Sequence, residues 1–494
     1  MPKTVLAYDF GASSGRAIAG EYRDEKITLS EIHRFSNDPV VLGDTLHWDF
    51  LRLIFEIKAG LLKAVNGGYD ISGIGFDTWG VDFGLLDEYG VLLENPVHYR
   101  DARNDSMIEK AIEIIPEHEL FGKTGIQFMK FNTVFQLLSL KLNRPHILQR
   151  AKDLLFMPDL MIYFLTGAKG SEYSIASTSG LLSPFTGEWE SDIFNKLGID
   201  KNIMAPVTQT GKTIAPLSKE ICNELNIEPI NVTAVCEHDT GSAVAAVPSE
   251  DKEFLYISCG TWSLLGTELE KPVISNEIKA LGFSNEGGYN KTVRLLKNII
   301  GLWLIQESQR QWSREGDNLT FKEIDKYTEA AESFKCYIDP TDEMFIAPGD
   351  IPAKIREYCK STGQYIPQTK GEITRCITES LAMEYAYAIN NIERVLGKEF
   401  PTVHIIGGGV KDKLLCKFTA NTTGKKVTAG PIEATAIGNI AVQLIAGGEI
   451  KDLKTARGIV RDSFDIEVYE PSDRDIWSAE YKKYVGLIHK DIIV

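Results

Sequence analysis

One pattern occurs twice in this chain, about half its length apart: LAYDFGASSGR at residues 6–16 and LYISCGTWSLLG from Leu255. Both read as strand, glycine turn, hydroxyl, strand. Self-similarity on this scale marks a repeated structural unit, so the simplest account is two related domains, each opening on a β-hairpin. Short glycine-bearing hairpins also resemble one another by chance, and the echo needs support from other segments. In the first copy Val5, Leu6 and Ala7 read as a buried strand, with Gly11 and Gly15 allowing a tight reversal into a second strand over residues 16–20. The amides of such a turn form a concavity suited to an anion, and Asp9 at the strand end is placed to hold a magnesium ion or its water against phosphates. A plain polar turn would read the same way.

At 494 residues the chain is too long for one ordinary core, and two or three domains are expected. With 43% hydrophobic and 25% charged residues it has the composition of a globular enzyme. Its 69 acidic against 53 basic residues, a formal charge of -16, argue against nucleic-acid binding or an anionic membrane surface. Phosphate ligands would then be bound locally or through a metal. The start, MPKTVLAYDF, has no apolar leader, and no run of about 18 apolar residues could span a bilayer, so a cytoplasmic location is expected. Seven scattered cysteines without CxxC spacing fit neither a disulfide framework nor a zinc site and read as buried thiols.

Strand-like runs at residues 73–78, 154–157 and 232–236 alternate with amphipathic stretches, which indicates an α/β fold. The small-residue helix SAVAAV gives way to Pro248 and EDKE, placing a boundary within residues 243–252 and two halves at 1–245 and 246–494. Residues 340–351 and 360–370 read as loops. Over residues 473–489, Trp477, Tyr481, Tyr484, Leu487 and Ile488 recur at helical spacing, and this final helix is expected to pack back on the first half.

Three further segments carry chemistry. In VTAVCEHDTGSAVAA, residues 232–246, a strand ends in His238 and Asp239 before a helix of Gly, Ser and Ala that lets a ligand or another backbone come close. Asp239 there can accept a proton from a substrate hydroxyl, although an aspartate at that place is also an ordinary helix cap. In VHIIGGGVKDKLL, residues 403–415, three glycines admit close backbone approach of a nucleotide, without the spacing of a dinucleotide fold or a P-loop. In residues 75–103 an Asp87–Gly90 turn closes a hairpin, and Thr78, Trp79, Gly80 and Asp82 before it combine an aromatic face with polar groups suited to a small polyol. A core tryptophan beside an incidental aspartate is the plainer reading. LLKNIIGLWLIQ, residues 295–306, places Leu296, Ile299, Ile300, Trp303 and Leu304 on one helical stripe, leaving Asn298 and Gln306 off it.

Taken in order, DFGASSGR, FDTWGVDFGLLD, YRDAR, EHDTGSA, SCGTWSL, NEGGY, KNIIGLW and HIIGGG resemble the FGGY carbohydrate kinase family over nearly the whole chain. The resemblance implies two α/β domains of the actin and hexokinase type, ribonuclease H-like, with an active-site cleft between them that closes on its substrates. It implies ATP and Mg2+ as cofactors and transfer of the γ-phosphate to the 1-hydroxyl of L-rhamnulose in rhamnose catabolism. ATP contacts would fall on Ala12, Ser13, Ser14, Gly15, Arg16, Thr261, Gln306 and Gly408, and sugar contacts on Gly80, His238, Asp239, Thr240 and Asn298. Asp239 would be the proton acceptor, with Asp9 and Asp239 as magnesium partners. Lys411 and Asp412 stand where the family usually has Gln and Asn. A monomer or homodimer acting on small molecules, with no nucleic-acid or membrane partner, is the expectation. The rivals are a kinase for another ketose such as L-fuculose and an actin-like ATPase module. A sugar-responsive regulator would need a basic DNA-binding segment, which this acidic chain lacks.

Overall fold

The computed structural model describes residues 3–489 and divides them into two compact units. Among the described residues the first comprises 3–250, 268–295 and 434–463, and the second 251–267, 296–433 and 464–489. Among the described residues no helix is long and apolar enough to cross a membrane.

The first unit is built on a six-stranded sheet. Its strands are β1 (Lys3–Phe10), β2 (Ser14–Arg23), β3 (Lys26–Ser36), β4 (Ile71–Thr78), β5 (Lys212–Pro216) and β6 (Asn231–Ala234), in the order β5-β6-β4-β1-β2-β3. The hairpin β1-β2 and its neighbour β3 are antiparallel, β1, β4 and β6 run parallel, and β5 closes the edge antiparallel. A strand buried on both faces reads as a continuous apolar run, and seven of the eight residues of β1 are buried. The helix Phe50–Asn66 covers the sheet with Leu53, Ile57 and Leu61, and Tyr8 donates to the Ile57 carbonyl at 2.6 Å. The helix Ala434–Ala446 returns to this unit late in the chain and lies so close to Asp239–Ala245 that a methyl on Gly438 would overlap the Ser242 carbonyl. The small residues of that segment therefore serve backbone approach.

The second unit repeats the pattern. Strands β7 (Leu255–Cys259) and β8 (Trp262–Leu269) form an antiparallel hairpin, β9 (Thr402–Ile406) and β10 (Lys426–Ala429) add parallel to β7, and β11 (Glu467–Tyr469) closes antiparallel. The sequence β2-β1-β4-β6-β5 of the first sheet is thus matched by β8-β7-β9-β10-β11, which supports the half-chain echo. The 27-residue helix Lys370–Leu396 forms much of this core and opens on a capping box between Thr369 and Glu372. The final helix, Arg474–Ile488, expected to pack back on the first half, belongs to this unit: Trp477 meets Phe334 and Phe418, and Tyr484 donates to Glu384 at 2.9 Å.

Three local readings are corrected. Residues 295–300, read as part of a helical stripe over 295–306, belong to the strand Val293–Ile300, and the helix begins only at Trp303. A strand buried on both faces carries no alternation, so its apolar run is indistinguishable from a buried helix by period alone. Gly15 is no turn residue either. It pairs with Phe10 inside the hairpin, where a side chain would overlap the Phe35 ring, while the reversal itself is closed by Gly11 N–H donating to Ser14 O at 2.9 Å. All seven cysteines are buried and free. Contrary to the reading from spacing, Cys336, Cys359 and Cys376 come together, their sulfurs within 4.8 Å of one another, as a group able to hold a metal ion. Among the described residues no His, Asp or Glu joins them.

Candidate active site

In the first unit the C-terminal ends of parallel strands gather the polar residues, as open parallel sheets do. Asp9 on β1 and Asp77 on β4 are register partners, as are Phe10 and Thr78. Beyond β6, the Thr78 N–H donates to Glu237 O at 2.9 Å and Thr78 bridges His238 in parallel register. Residues 78–80 and 238–240, far apart in sequence, therefore lie side by side.

Asp239 is the first helical residue of Asp239–Ala245, with His238 at the cap, so its carboxylate is not the N-cap. Its Oδ1 accepts from Thr240 N–H at 2.5 Å and from the Thr240 hydroxyl at 3.1 Å, and its side chain is 33% exposed. A carboxylate that is anchored on one oxygen and open to solvent suits proton acceptance from an incoming hydroxyl.

Asp77 escaped the sequence reading, although it stands one residue before the end of its strand as Asp9 does. It is fully buried, Asn439 donates to its Oδ2 at 2.6 Å, and Oδ1 has no partner. Burial, then the charge of Asp9, push its carboxyl well above the usual range, and Asp239 adds to this. Arg16 holds Asp9 Oδ2 at 2.5 Å. A buried, unpartnered carboxylate oxygen beside a second carboxylate fits a hard divalent cation, so Asp9 and Asp77 have the donor chemistry that magnesium requires. Behind them lie three more buried acids, Asp159, Glu172 and Glu237. Glu172 accepts from Ser174, Ile175, Thr210 and the Glu237 amide, whereas both Glu237 oxygens lack partners and burial drives its carboxyl up.

Gly80 stands against Thr178, and the following Val81 has φ +70°, a left-handed conformation that a β-branched residue adopts only when its surroundings impose it. The restraints are visible: Val81 N–H donates to Thr178 Oγ1 at 3.1 Å, and Thr133 donates to Val81 O at 2.7 Å. Asp82, read as a ligand group, is instead a hub. It accepts from Trp48 Nε1 at 2.7 Å, Trp79 Nε1 at 3.0 Å, Tyr99 N–H at 3.0 Å and Gln136 Nε2 at 2.8 Å. Burial raises its pKa to about 6 against the bonds from Trp48, Gln136 and Trp79 and the charge of Arg103. Asp82 fixes an aromatic wall in which Trp48 lies tilted against Trp79 and stacks on His98, with ring centroids 3.9 and 4.1 Å apart. Burial, then Arg100, hold the His98 pKa down at about 3, so the wall is uncharged there.

The expected nucleotide residues divide between the units. In the first, Ala12 and Ser13 are exposed at the hairpin turn, Ser14 and Arg16 are half-buried, and Gly15 is buried. In the second, Thr261 lies at the tip of the equivalent hairpin, its hydroxyl 3.5 Å from Gln306 Oε1, and its carbonyl accepts from Gly301 N–H at 3.1 Å. Of the three glycines after β9, Gly407 has φ +85°, a methyl on Gly409 would overlap the Cys259 sulfur, and Gly408 is exposed with open space around it. Asp412 caps the helix Lys413–Thr423 by accepting from Leu415 N–H at 2.9 Å, a task the customary Asn could also perform. Asn298 lies half-buried on Val293–Ile300, within the second unit.

Residues 4–246 match the model of the FGGY family of carbohydrate kinases, N-terminal domain, and residues 255–447 match that of its C-terminal domain. A rhamnulokinase of Bacteroides thetaiotaomicron is 42% identical over 97% of this chain and 98% of its own length. A rhamnulokinase of Bacillus subtilis is 39% identical over 95% of this chain and 96% of its own. Among solved structures, a xylulose kinase from Lactobacillus acidophilus superposes with a TM-score of 0.80 at 16% identity, covering 99% of this chain and 97% of that one. Plasmodium falciparum glycerol kinase with ADP does so with 0.77 at 18% identity, covering 98% of each.

Proposed function

The chain belongs to the FGGY family of carbohydrate kinases, and from that premise we propose that it phosphorylates L-rhamnulose at the 1-hydroxyl, using ATP and giving L-rhamnulose 1-phosphate and ADP. The observation that carries the proposal is the juxtaposition of residues 78–80 with His238–Asp239, beside Asp9 and Asp77, at adjacent strand ends. The full-length likeness to curated rhamnulokinases selects the sugar.

In this mechanism Asp239 accepts the proton of the 1-hydroxyl as that oxygen forms its bond to the γ-phosphorus. The bond from that phosphorus to the bridging oxygen breaks in line, and ADP leaves with the electron pair. Phosphoryl transfer asks mainly for positioning and charge compensation, so the base need only orient and unload the attacking oxygen. Gly80, His238, Thr240 and Asn298 are assigned to the sugar, with the aromatic wall of Trp48 and Trp79 behind Gly80. The turn Ala12 to Arg16, Thr261, Gln306 and Gly408 are assigned to the nucleotide. Asp9, Asp77 and Asp239 are the residues that would hold magnesium, which when bound supplies neutralising charge for the phosphates. Metabolism of rhamnose in the cytoplasm follows as the setting.

The test is ADP release with Mg-ATP and, in parallel, no sugar, L-rhamnulose, L-fuculose, L-ribulose, D-xylulose and glycerol. L-rhamnulose is expected well ahead, with slow turnover in its absence. A lead by another ketose overturns the substrate assignment. Sugar-independent turnover overturns kinase chemistry in favour of an ATPase module.

A further inference from the structure

His238 lies between Asp239 and a buried ion pair, and its surroundings determine which nitrogen carries the ring proton. Its Nδ1 lies 3.0 Å from Arg294 Nη2 and 3.3 Å from Glu286 Oε2, and its Nε2 lies 3.4 Å from Asp239 Oδ1. Arg294 is completely buried and Glu286 and His238 nearly so. Arg294 is aimed by a second bond, Nε donating to Gly287 O at 2.8 Å, and is paired in charge with Glu286 at 3.4 Å. The ring is held from its own backbone as well, its N–H donating to Ser174 Oγ at 3.2 Å.

A guanidinium has donors only. The closest ring contact, Arg294 to Nδ1, therefore requires a lone pair on Nδ1, which leaves the proton of the neutral ring on Nε2, facing Asp239 Oδ1. In that arrangement Glu286 compensates Arg294 and does not take a proton from Nδ1. Were Arg294 absent, Glu286 would be the nearest partner of Nδ1 and would draw the proton to it, turning a bare Nε2 lone pair toward the Asp239 carboxylate. The choice of tautomer thus decides whether His238 attracts or repels the carboxylate oxygen that anchors the base. Among the described residues Asp239 Oδ2 has no hydrogen-bond partner, which leaves that oxygen for the sugar hydroxyl.

We propose that Arg294 and Glu286 are positioning residues that fix the tautomer and orientation of His238 and, through its Nε2–H, the carboxylate of Asp239. The proposal rests on the reading of Asp239 as proton acceptor. Neither residue is needed to touch substrate. Arg294 and Glu286 lie on the NEGGYNKTVR segment, residues 285–294, whose part in the chemistry only the fold reveals.

The experiment uses the full-length protein with 15N-histidine labelling, the His238 signals being identified by their loss in His238→Gln. In the unaltered protein the neutral ring is expected to show a protonated Nε2 and an unprotonated Nδ1. In Arg294→Lys, which keeps the charge and loses the fork, the proton is expected to move to Nδ1. Turnover with sugar and Mg-ATP should fall by about tenfold to a hundredfold, below the ~10²–10⁴-fold typical of a general base. KM for ATP should change less than about twofold. Glu286→Gln, the milder variant, is expected to lower turnover with KM for ATP likewise retained. An Nδ1-protonated ring in the unaltered protein overturns the proposal without recourse to any variant. So does an unmoved tautomer with full turnover in Arg294→Lys. Asp239→Asn, run alongside, separates the two readings: full activity there removes the premise, whereas an inactive Asp239→Asn with a fully active Arg294→Lys removes only the positioning role.

Discussion

The two sheets share one ladder order and differ in what stands at their strand ends. In the first, Asp9 and Asp77 are the penultimate residues of β1 and β4, and β6 leads through Glu237 to His238 and Asp239. In the second, β7 ends at Cys259, β9 runs into Gly407, Gly408 and Gly409, and β10 into Gly430. The strand interiors must be apolar to be buried, and that demand relaxes toward their C-terminal ends, fully for the part-exposed Asp239 but only against a burial penalty for Asp77. One copy spends this freedom on carboxylates, suited to a hydroxyl and a cation, and the other on bare backbone, suited to a ligand that lies against main chain.

The contrast extends to single buried acids. Asp82, in the first unit, is ringed by neutral N–H donors, and burial lifts its pKa to about 6. Glu384, in the second, is also fully buried, yet Lys297 at 3.0 Å and His489 at 2.7 Å outweigh the burial and bring it down to about 2. Charge partners decide the sign.

The sharpest way to break the comparison is to remove an acid from one set of strand ends and a glycine from the other. Asp239→Asn is expected to cost about 10²–10⁴-fold in turnover with nucleotide binding retained, as measured by steady-state kinetics and ADP titration. A variant within twofold of the parent would end the assignment of the acidic ends to catalysis.

Next in size are opposite pH dependences. Asp82 has a raised folded-state pKa, so its contribution is most favourable below about pH 4 and is lost as pH rises to about 6, a swing of roughly 3 kcal/mol. Glu384 has a lowered one, so its contribution is complete above about pH 4.5 and is lost as pH falls toward 2, again by roughly 3 kcal/mol. Denaturant unfolding of Asp82→Asn and Glu384→Gln against the parent from pH 3 to 7 should show stability differences that shrink in opposite directions. Parallel curves would refute the contrast.

Within the glycine triplet, Gly409→Ala overlaps the Cys259 sulfur and should cost about 1–3 kcal/mol by overpacking. Gly408→Val, in open space, should change stability by less than about 0.5 kcal/mol while raising KM for ATP. Unchanged ATP affinity in Gly408→Val would separate this loop from the nucleotide. Smallest is the cap: Asp412→Ala should lose about 1 kcal/mol and Asp412→Asn little, by thermal melting, and a loss of ATP affinity in Asp412→Asn would assign Asp412 a role beyond capping.

Much of this was legible because it is local. The hairpins, the Asp87 turn, where Asp87 Oδ1 accepts from Tyr89 and Val91 N–H at 2.9 Å, and the C-terminal helix each announce themselves through period and turn chemistry, whereas the strand expected to run on to His238 stops at Ala234. Residues 295–300 failed the same test because burial on both faces erased the period. The Asp82 hub was misread because its four donors come from Trp48, Trp79, Tyr99 and Gln136, which no window of sequence spans.

The sequence by itself determined the α/β class, the repeated hairpin, the acid at residue 239 and the glycine triplet, since each depends on residues close enough in the chain to share one element. Only the tertiary structure decided that Asp77 joins Asp9, that Arg294 and Glu286 reach His238, that Asn439 returns to hold Asp77, and that three distant thiols meet. The reason is physical: strand neighbours in a parallel sheet are brought together by crossover connections of many residues, so the partners of a strand end are set by sheet order and not by spacing along the chain.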